Sequence, residues 1–297
     1  MECRICKSKG ETQTIRAEYV FVGTRHNKFW ECSKCGIIYL KPTLSPEEEK
    51  HFYNKEFEKY MSTRVGDHRD WSNAEKHIQS NQDQVVRRWK FIEQHIKEDT
   101  KALEIGCSSG FMLDKFKQEG CDVCGVEPSG EFLEFIHNKG YEAYETLDEI
   151  DNSKKFDIIS HFFVLEHISD PFRFIEQQLD LLSDHGVIIA EIPSATDPLT
   201  SIYNIPAFEK FYWSIAHHYY YTPRSLNYIM KKMNLKYELL PEQRYDLSNH
   251  ITWMMDGKPG GQNRFNEIFS DELNEKYRDD LKRSWKCDTI FLKIYKN

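Results

Sequence analysis

Two acids and two glycines in the central part of the chain have a spacing that suits the binding of a nucleoside. Glu104 lies in a short apolar segment, 102–105, which Gly106 and Gly110 follow. A second such segment, 122–126, is followed directly by Glu127, 23 residues after Glu104. A glycine directly after a strand lets the backbone turn sharply, and a second glycine lets the following helix begin close to the sheet. An acid about 20 residues further on is placed to hold both hydroxyls of an unphosphorylated ribose. The pattern predicts strands at 102–105 and 122–126, with a helix at 111–119 between them.

The charge at the end of the first strand indicates which nucleoside this is. The glycines are spaced Gly-x-x-x-Gly, whereas a dinucleotide-binding loop has Gly-x-Gly-x-x-Gly. The Glu104 carboxylate would repel a pyrophosphate and would attract a cation. S-adenosylmethionine carries a sulfonium, an ammonium group and a free ribose, and it has no phosphate. The residues therefore favour S-adenosylmethionine over a dinucleotide as the cofactor.

Four segments together resemble the class I S-adenosylmethionine-dependent methyltransferases. In the order of that family they are 103–110, 126–129, 156–171 and 186–193. The family's usual middle glycine is Ser108 here, a small residue that the loop tolerates. The resemblance implies an α/β fold, a Rossmann-like seven-stranded methyltransferase sheet with helices on both faces; a doubly wound domain without this cofactor is the alternative. It also implies cofactor contacts from Glu104, Gly106, Cys107, Gly110, Glu127, Pro128, His161 and Phe162.

The segment 161–163 follows a predicted strand at 156–160. Ligands of open α/β sheets bind beyond the carboxyl ends of the strands, so this segment is expected to line the methionine end of the cofactor. In the family, residues here contribute backbone carbonyls and ring faces that suit a cation. His167 lies in a Leu-Glu-His motif that recurs in relatives with unrelated substrates, so its expected role is architectural.

Four cysteines near the amino terminus have the spacing of a zinc site. Cys3 and Cys6 form one Cys-x-x-Cys pair, and Cys32 and Cys35 form another, with 25 residues between the pairs. Each pair can chelate a metal through a tight turn, and four thiolates match tetrahedral Zn²⁺. With a hairpin predicted from 14–22 and 28–31, this segment is expected to be a small zinc ribbon that the metal stabilises directly. The other cysteines are predicted to be thiols without metal: Cys107, Cys121, Cys124 and Cys287.

An aromatic segment after the predicted fifth strand is the expected acceptor site. Eight aromatic residues lie within 203–221, with His217 and His218 among them, and Thr222-Pro223 is expected to begin the next helix. Class I methyltransferases commonly carry substrate-binding insertions here, which predicts a wall or lid of the acceptor site. A hydrophobic plug that closes the domain is the alternative.

The motif His-x-Tyr-x-Tyr-Thr-Pro at 217–223, with the cysteine pairs and the central domain, resembles methyltransferases of deoxysugars and other small polar metabolites. In the sugar C-methyltransferases of that group a glutamate precedes the histidine, and a tyrosine lies two residues before the glutamate; Ala216 and Ser214 hold these positions here. C-methylation needs a base strong enough to form an enolate, whereas one near-neutral histidine can take a hydroxyl proton. We therefore expect O-methylation of a sugar or sugar nucleotide, with His217 as the base and His218 as the alternative base. A sugar C- or N-methyltransferase is the second interpretation.

These features divide the chain into a zinc ribbon at 1–45, a helical linker or cap at 46–98 and a methyltransferase domain at 99–297. Residues 41–46 form a predicted linker that separates the core of the ribbon from that of the main domain. The methyltransferase domain is expected to carry a substrate-binding insertion, 194–225, and a polar loop, 244–265, that could close on the acceptor. Lesser candidates for ligand contact are Tyr60 and Arg64 for the cofactor, and Arg244, Asp246, Asn249 and His250 for acceptor hydroxyls.

The composition limits the partners and the compartment. The net charge is −8 at pH 7, and no apolar run approaches the roughly 20 residues of a membrane-spanning helix. The start of the chain lacks the pattern of a signal peptide. We expect a cytoplasmic protein with a small-molecule acceptor and without a membrane or nucleic-acid partner, because nucleic-acid binding favours a basic surface. The alternatives are an RNA methyltransferase that grips its substrate with the ribbon, and a binding protein without activity. The sequence predicts no oligomeric state.

Overall fold

The computed structural model describes residues 1–52 and 73–296, which form two β-sheets with helices around the larger one. The strands are β1 (Gln13–Ala17), β2 (Lys28–Cys32), β3 (Ile38–Lys41), β4 (Lys101–Ile105), β5 (Asp122–Val126), β6 (Glu142–Tyr144), β7 (Phe156–Phe162), β8 (Leu182–Pro193), β9 (Tyr219–Tyr220), β10 (Lys236–Glu242) and β11 (Thr289–Tyr295). The helices of the described residues are α1 (Pro46–His51), α2 (Ala74–Ser80), α3 (Gln82–Ile92), α4 (Phe111–Gln118), α5 (Gly130–Asn138), α6 (Pro171–Leu181), α7 (Pro198–Ser201), α8 (Pro206–Tyr212), α9 (Pro223–Lys232), α10 (Leu247–Asp256) and α11 (Asp271–Arg283). The candidates Tyr60 and Arg64 lie outside the described residues.

The larger sheet has seven strands in the order β10-β11-β8-β7-β4-β5-β6. Strand β11 is antiparallel to both of its neighbours, and the other strands run parallel to one another. The carboxyl ends of β4, β5 and β7 therefore meet at one edge of the sheet. The predicted α/β fold with a seven-stranded sheet is confirmed.

Helices cover both faces of this sheet. Leu103 and Ile159 face the core that contains α6 and α9, whereas Ala102 and Ile158 face the core that contains α3 and α4. A parallel strand that is covered on both faces is apolar at nearly every position, which explains the short continuous apolar runs in the sequence. None of the described helices is long and apolar enough to cross a membrane.

The smaller sheet has four antiparallel strands in the order β1-β2-β3-β9. The four amino-terminal cysteines lie beside it, which fits the predicted zinc ribbon. Its last strand, β9, comes from the aromatic insertion, and Ile5 and Tyr39 share one core with Leu226 and Ile229 of α9. The prediction that a linker at 41–46 separates the two cores is therefore wrong. The pairing joins segments about 180 residues apart, a distance over which local sequence patterns carry no signal.

Two predicted boundaries in the main domain also differ from the structure. Strand β7 continues through Phe162 instead of ending at 160, because its last residues still pair with β8. The prediction of a polar loop at 244–265 is wrong for ten of its residues, because 247–256 form α10. The Asp246 carboxylate accepts a hydrogen bond of 2.8 Å from the backbone N–H of Asn249 and so caps this helix, which buries Trp253.

Candidate active site

The glycine loop after β4 is tightly folded against the end of β5. The backbone N–H groups of Gly106 and Cys107 both donate to the carbonyl of Val126, at 2.8 and 3.1 Å. Gly106 and Gly110 have φ angles of 69° and 75°, a region that favours glycine, and Ser108 has a φ of 51° in the same loop. A Cβ atom on Gly106 would lie 2.7 Å from Cγ2 of Val164, in the loop after β7. The glycine spacing thus brings the loops after β4, β5 and β7 into contact.

Glu127 joins two of these loops through its carboxylate. It accepts hydrogen bonds from the backbone N–H groups of Ser108, at 2.6 Å, and Ser129, at 2.9 Å. Burial raises the pKa of this carboxyl group, and the two backbone donors oppose that shift. The acid therefore lies at the carboxyl end of β5 beside the glycine loop, where a ribose would be held in the predicted site. The neighbouring ring of Pro128 is exposed.

Glu104 is buried beneath the same loop. One of its carboxylate oxygens has no hydrogen-bond partner among the described residues, and burial raises the pKa of the group well above its ordinary value. A buried carboxylate oxygen without a partner is costly unless a ligand satisfies it. An ammonium group has the charge and the donors to do so, and the residues at this end of the sheet therefore fit the methionine end of S-adenosylmethionine.

Two arginines of α3 complete this end of the sheet, and the sequence analysis missed them. Arg88 donates to Glu191 of β8 at 3.0 Å, and Arg87 lies 2.7 Å from the same carboxylate. Burial by itself would raise the pKa of Glu191, but the two guanidinium groups hold this pKa below its ordinary value. The Arg88 guanidinium also lies 4.3 Å over the ring of Phe162. A glutamate inside the apolar run of β8 was the available signal, since a buried acid needs a cationic partner.

His77 of α2 is a second residue that the sequence analysis missed. Its Nδ1 lies 2.8 Å from the hydroxyl of Ser109, and its ring packs between Phe111 and Phe132, at 5.7 and 5.5 Å between ring centroids. Burial, with Arg88 nearby, lowers the pKa of His77, so the ring is neutral at pH 7. Helix α2 is thus held against the glycine loop by a polar contact and against α4 and α5 by two ring contacts.

Two predicted cofactor residues direct their side chains into the protein interior. The Cys107 thiol packs on the backbone of β5, since a Cβ on Gly125 would lie 2.7 Å from its sulfur, and burial raises its pKa. The His161 ring is 5.3 Å from that of Phe174 in α6, and burial lowers its pKa to about 3. Phe162 faces the opposite side of β7, toward Arg88. Only the backbones of Cys107 and His161 are therefore near the predicted cofactor site.

A cluster of three side chains lies beyond β7, in and around the segment that follows Val164. Glu166 and His167 follow Val164, which contacts Gly106, and His217 comes from the insertion. The rings of His167 and His217 are perpendicular and 4.7 Å apart, and one nitrogen or oxygen atom from each of the three side chains lies within 4.8 Å of the other two. Glu166 and His217 are buried. We call Glu166, His167 and His217 the histidine cluster.

The tautomer of His167 follows from its hydrogen bond to the insertion. Its Nδ1 lies 2.9 Å from the carbonyl oxygen of Ala216. A carbonyl only accepts, so Nδ1 carries the proton, and in the neutral ring Nε2 carries the lone pair. Nε2 lies 4.0 Å from Glu166 Oε1. His167 was expected to be only architectural, and the structure places it in direct contact with the segment that contains the predicted base.

His218 faces away from this cluster. Arg4 donates to its Nδ1 at 3.3 Å, and its Nε2 lies 3.0 Å from a carboxylate oxygen of Glu49. Because a guanidinium only donates, Nδ1 is the acceptor and Nε2 carries the proton. The structure thus separates the two adjacent histidines: His217 belongs to the histidine cluster, and His218 is held between the ribbon and α1.

The aromatic residues of the insertion pack mostly on one another. The ring of Tyr220 lies 4.7 Å from those of Tyr212 and Trp213 and 5.1 Å from that of Phe29 in β2. All four side chains are buried in one core. This packing agrees with the alternative interpretation of the insertion as a hydrophobic plug. Tyr220 of this plug also packs against His217 of the histidine cluster.

The candidates near α10 are engaged in contacts within the protein. The Arg244 guanidinium donates to the buried carboxylate of Asp288 at 2.7 Å. His250 Nδ1 lies 2.6 Å from the hydroxyl of Tyr277, and burial lowers the pKa of His250 to about 4. The amide of Asn249 donates to the carbonyl of Gly260. Together with the helix cap from Asp246, these contacts stabilise the fold of α10 and its connection.

The four amino-terminal cysteines have the geometry of a tetrahedral metal site. The sulfurs of Cys3 and Cys35 are 3.7 Å apart, those of Cys6 and Cys32 are 3.5 Å apart, and all four lie within 4.8 Å of one another. Zinc–sulfur bonds of about 2.3 Å in a tetrahedron place the sulfurs roughly 3.8 Å apart. Among the described residues, Cys107, Cys121, Cys124 and Cys287 are buried and form no such group.

Comparison with known proteins identifies the family. A family model described as a methyltransferase domain matches residues 74–240, more than half of the chain. The ubiquinone biosynthesis O-methyltransferase of Rhodopseudomonas palustris strain HaA2 is 29% identical over 96 residues, which are 30% of this chain and 38% of that protein. The protein of the same name from Coxiella burnetii is 29% identical over 108 residues, 33% of this chain and 46% of that one.

The chain thus spans less than half the length of these relatives. A solved structure, described as a SAM-dependent methyltransferase from Archaeoglobus fulgidus, has a TM-score of 0.50 and 15% identity, and it covers 80% of this chain and 99% of that one. This likeness extends the agreement in fold beyond the matched segment. The matched segment, 74–240, contains the glycine loop, Glu127 and the histidine cluster. Because the family model matches more than half of the chain, the chain belongs to the methyltransferase-domain family.

Proposed function

We propose that the protein transfers the methyl group of S-adenosylmethionine to a hydroxyl oxygen of a small polar acceptor. The observation that carries this proposal is the histidine cluster, two members of which follow shortly after Val164, the residue that contacts Gly106 of the glycine loop. The bound cofactor supplies a methyl group that its sulfonium makes electrophilic. The remaining task of the protein is to align the acceptor oxygen with the carbon–sulfur bond and to take up its proton.

The cofactor would be held by residues at the ends of β4 and β5. Glu127 has the position to accept hydrogen bonds from the ribose hydroxyls, and the Glu104 carboxylate has the charge to pair with the ammonium group. Arg88 supplies a cation close to Glu104, which suits the carboxylate of the same methionine moiety. Opposite charges on neighbouring residues thus match the two charges of the amino acid end.

His217 is the proposed base. It lies in the histidine cluster, whereas the lone pair of His218 is occupied by the hydrogen bond from Arg4. The acceptor oxygen would form its bond to the methyl carbon as the carbon–sulfur bond breaks, and its proton would pass to the imidazole of His217. His167, with Nδ1–H fixed on the carbonyl of Ala216, presents Nε2 beside the same ring and would orient either His217 or the acceptor.

Two observations support oxygen as the methylated atom. Ala216 and Ser214 stand where the sugar C-methyltransferases have glutamate and tyrosine. The relatives from R. palustris and C. burnetii are named O-methyltransferases. A sugar or sugar nucleotide is the proposed acceptor, because the motif at 217–223 resembles that of deoxysugar methyltransferases. A phenolic hydroxyl is the second candidate, favoured by the names of these relatives.

The four cysteines are proposed to hold one zinc ion per chain. Their sulfur–sulfur distances of 3.5 and 3.7 Å match a tetrahedral thiolate site. The amide of Gln13 also donates to the sulfur of Cys32 at 3.4 Å, a contact that would stabilise a thiolate. Elemental analysis of protein purified without chelator should find one equivalent of zinc, and a value well below one would contradict the assignment.

An acceptor screen with methyl-labelled cofactor tests the proposed function. The acceptors are a panel of nucleotide sugars, a catechol and a transcribed RNA, and calorimetry measures cofactor binding in parallel. We expect label in a nucleotide sugar, with the O-methyl group identified by NMR. Label in the catechol would select the phenolic acceptor, and a C-methyl or N-methyl product would overturn O-methylation. Salt-sensitive transfer to RNA alone would favour the RNA methyltransferase, and absence of cofactor binding would favour a protein without activity.

A further inference from the structure

The zinc ribbon is built into the acceptor side of the protein. Ile38 and Tyr39 of β3 pair with Tyr220 and Tyr219 of β9, so the insertion supplies the fourth strand of the ribbon sheet. The pairing continues beyond β9, because the backbone N–H of Leu40 donates to the carbonyl of His218 at 3.0 Å. The backbone next to the proposed base is therefore part of the ribbon.

Arg4 makes the most direct connection. It lies in the first Cys-x-x-Cys turn, between Cys3 and Cys6. Its guanidinium donates to His218 Nδ1 and to the carbonyl of Ser169, both at 3.3 Å, and it lies 4.6 Å over the ring of Tyr219. A side chain whose backbone belongs to the metal-binding turn thus contacts three residues of the acceptor side.

Four polar contacts fix the position of His218. Arg4 occupies Nδ1, and Glu49 lies 3.0 Å from Nε2. Its backbone N–H donates to the carbonyl of Glu166 at 2.8 Å, while its own carbonyl accepts from Leu40. Since His217 directly precedes this residue and Glu166 belongs to the histidine cluster, any displacement of His218 also displaces the proposed base.

The second Cys-x-x-Cys turn is attached to α9 in a similar way. Arg224 donates to the carbonyls of Ser33 and Lys34, at 2.6 and 2.9 Å. The hydroxyl of Thr222 donates to the carbonyl of Gly36 at 3.1 Å. These acceptors are backbone carbonyls of the turn itself, so their position depends on the shape that the metal gives to the turn. Both turns therefore contact the 217–224 segment, one at each end.

We propose that the metal-loaded ribbon positions the acceptor-side histidines. Through Arg4 it holds His218, and thereby His217. Loss of the metal therefore stops methyl transfer, while cofactor binding persists. This inference rests on the proposed function. Its physical basis is that a metal bound by both Cys-x-x-Cys turns contributes binding free energy to the folding of the ribbon and fixes the shape of the two turns. The cofactor loop, in contrast, is tied by its own backbone hydrogen bonds to the end of β5.

Replacement of Arg4 tests this proposal, with Lys34 as the matched control. Lys34 is the cationic residue of the second turn, between Cys32 and Cys35, and its side chain is exposed. Arg4→Ala should lower kcat about tenfold or more, the usual effect of losing a charged hydrogen bond. The dissociation constant of S-adenosylmethionine and the zinc content should not change, and Lys34→Ala should match the native protein throughout. Full kcat in Arg4→Ala would overturn the proposal.

Two more variants separate positioning from general damage to the ribbon. Arg4→Lys should restore only part of kcat, because an ammonium cannot contact His218 and Ser169 together in the planar geometry of a guanidinium. Glu49→Gln acts on His218 from outside the metal-binding turns and should also lower kcat. The double variant should fall by less than the product of the two single effects, since both act through one side chain. Independent, multiplicative losses would contradict a shared action through His218.

Hydrogen exchange gives a readout that does not require activity. The protein is loaded with zinc, a chelator is added, and exchange is measured by mass spectrometry. Exchange should become faster in peptides covering 214–224, as it does in the ribbon, and should change little in peptides covering 101–110. A change confined to 1–45 would overturn the proposal. If exchange behaves as expected but no acceptor is methylated, the proposed function fails and the coupling stands.

Discussion

The proposed cofactor end and the proposed acceptor end of this protein are assembled in different ways. The cofactor end uses Glu104, the glycine loop and Glu127, which lie within 24 residues of one another and at the ends of two paired strands. The acceptor end joins Arg4 and Glu49 with His218, next to the histidine cluster, and so brings together segments separated by more than 200 residues. The first end depends mainly on one βαβ unit, whereas the second exists only when distant parts of the chain are in place.

The largest expected effect comes from the proposed base. His217→Ala should lower turnover about 10²–10⁴-fold, the usual contribution of a general base, and should leave the dissociation constant of the cofactor unchanged. His185 is exposed near the start of β8, and His185→Ala is the matched control. Steady-state kinetics and calorimetry measure the two quantities.

A different outcome would change how the acceptor end is understood. If His218→Ala is inactive and His217→Ala retains full activity, the base lies one residue later than proposed. Should both variants keep full activity, the acceptor is already nucleophilic, as an amine is, and the site acts by alignment alone. Loss of cofactor binding in His217→Ala would show that the two ends are not independent.

Gly106→Ala tests how closely the two ends contact each other. The alanine would cost about 1–2 kcal/mol for its left-handed backbone and about 1–3 kcal/mol more because its Cβ would meet Val164 Cγ2 at 2.7 Å. Gly120 also has a positive φ, but a Cβ there meets no atom within 4 Å. Gly120→Ala should therefore show only the backbone cost in denaturant unfolding. Equal losses in the two variants would mean that the loops separate readily.

Glu127→Ala tests the cofactor end by itself. The variant should bind S-adenosylmethionine about 1.5–3 kcal/mol more weakly, the usual range for a charged hydrogen-bonding group. Calorimetry gives the affinity, and the melting temperature shows whether the loss of its contacts to Ser108 and Ser129 disturbs the fold. Glu131, an exposed acid in the first turn of α5, is the control. An unchanged affinity would show that other residues hold the ribose.

The smallest expected effect is on the pH dependence of stability, and it comes from His161 in the interior of the larger sheet. Burial lowers the pKa of His161 to about 3, whereas the unfolded value is about 6.5. The unfolded chain therefore binds more protons below pH 6.5, so that this residue makes the protein lose about 2 kcal/mol of stability between pH 7 and pH 5. His161→Gln should reduce the pH dependence of unfolding by that amount. Exposed His185→Gln should leave it unchanged, and equal slopes in His161→Gln and the native protein would contradict the assignment.

Several elements could be predicted because their causes are local in the sequence. The Gly-x-x-x-Gly spacing reflects the backbone turn after one strand, and the predicted boundaries of β5 agree with the structure residue for residue. Thr222 caps α9 as expected, since a cap involves only its own first turn. The four cysteines come together because a Cys-x-x-Cys turn brings its own sulfurs close. Each of these features needs only neighbouring residues, or two self-contained turns.

Other features were decided by the tertiary structure alone. A strand of two residues, β9, has no recognisable pattern, and it forms because β3 offers an unpaired edge. His217 and His218 look equivalent in the sequence, but successive side chains point in different directions, so one reaches the histidine cluster and the other reaches Arg4 and Glu49. The sequence by itself determined the family, the sheet and the residues proposed for the cofactor end, because local spacing encodes them. Only the folded chain decided which histidine joins the histidine cluster and which one contacts the ribbon, because those contacts join residues that no short-range pattern connects.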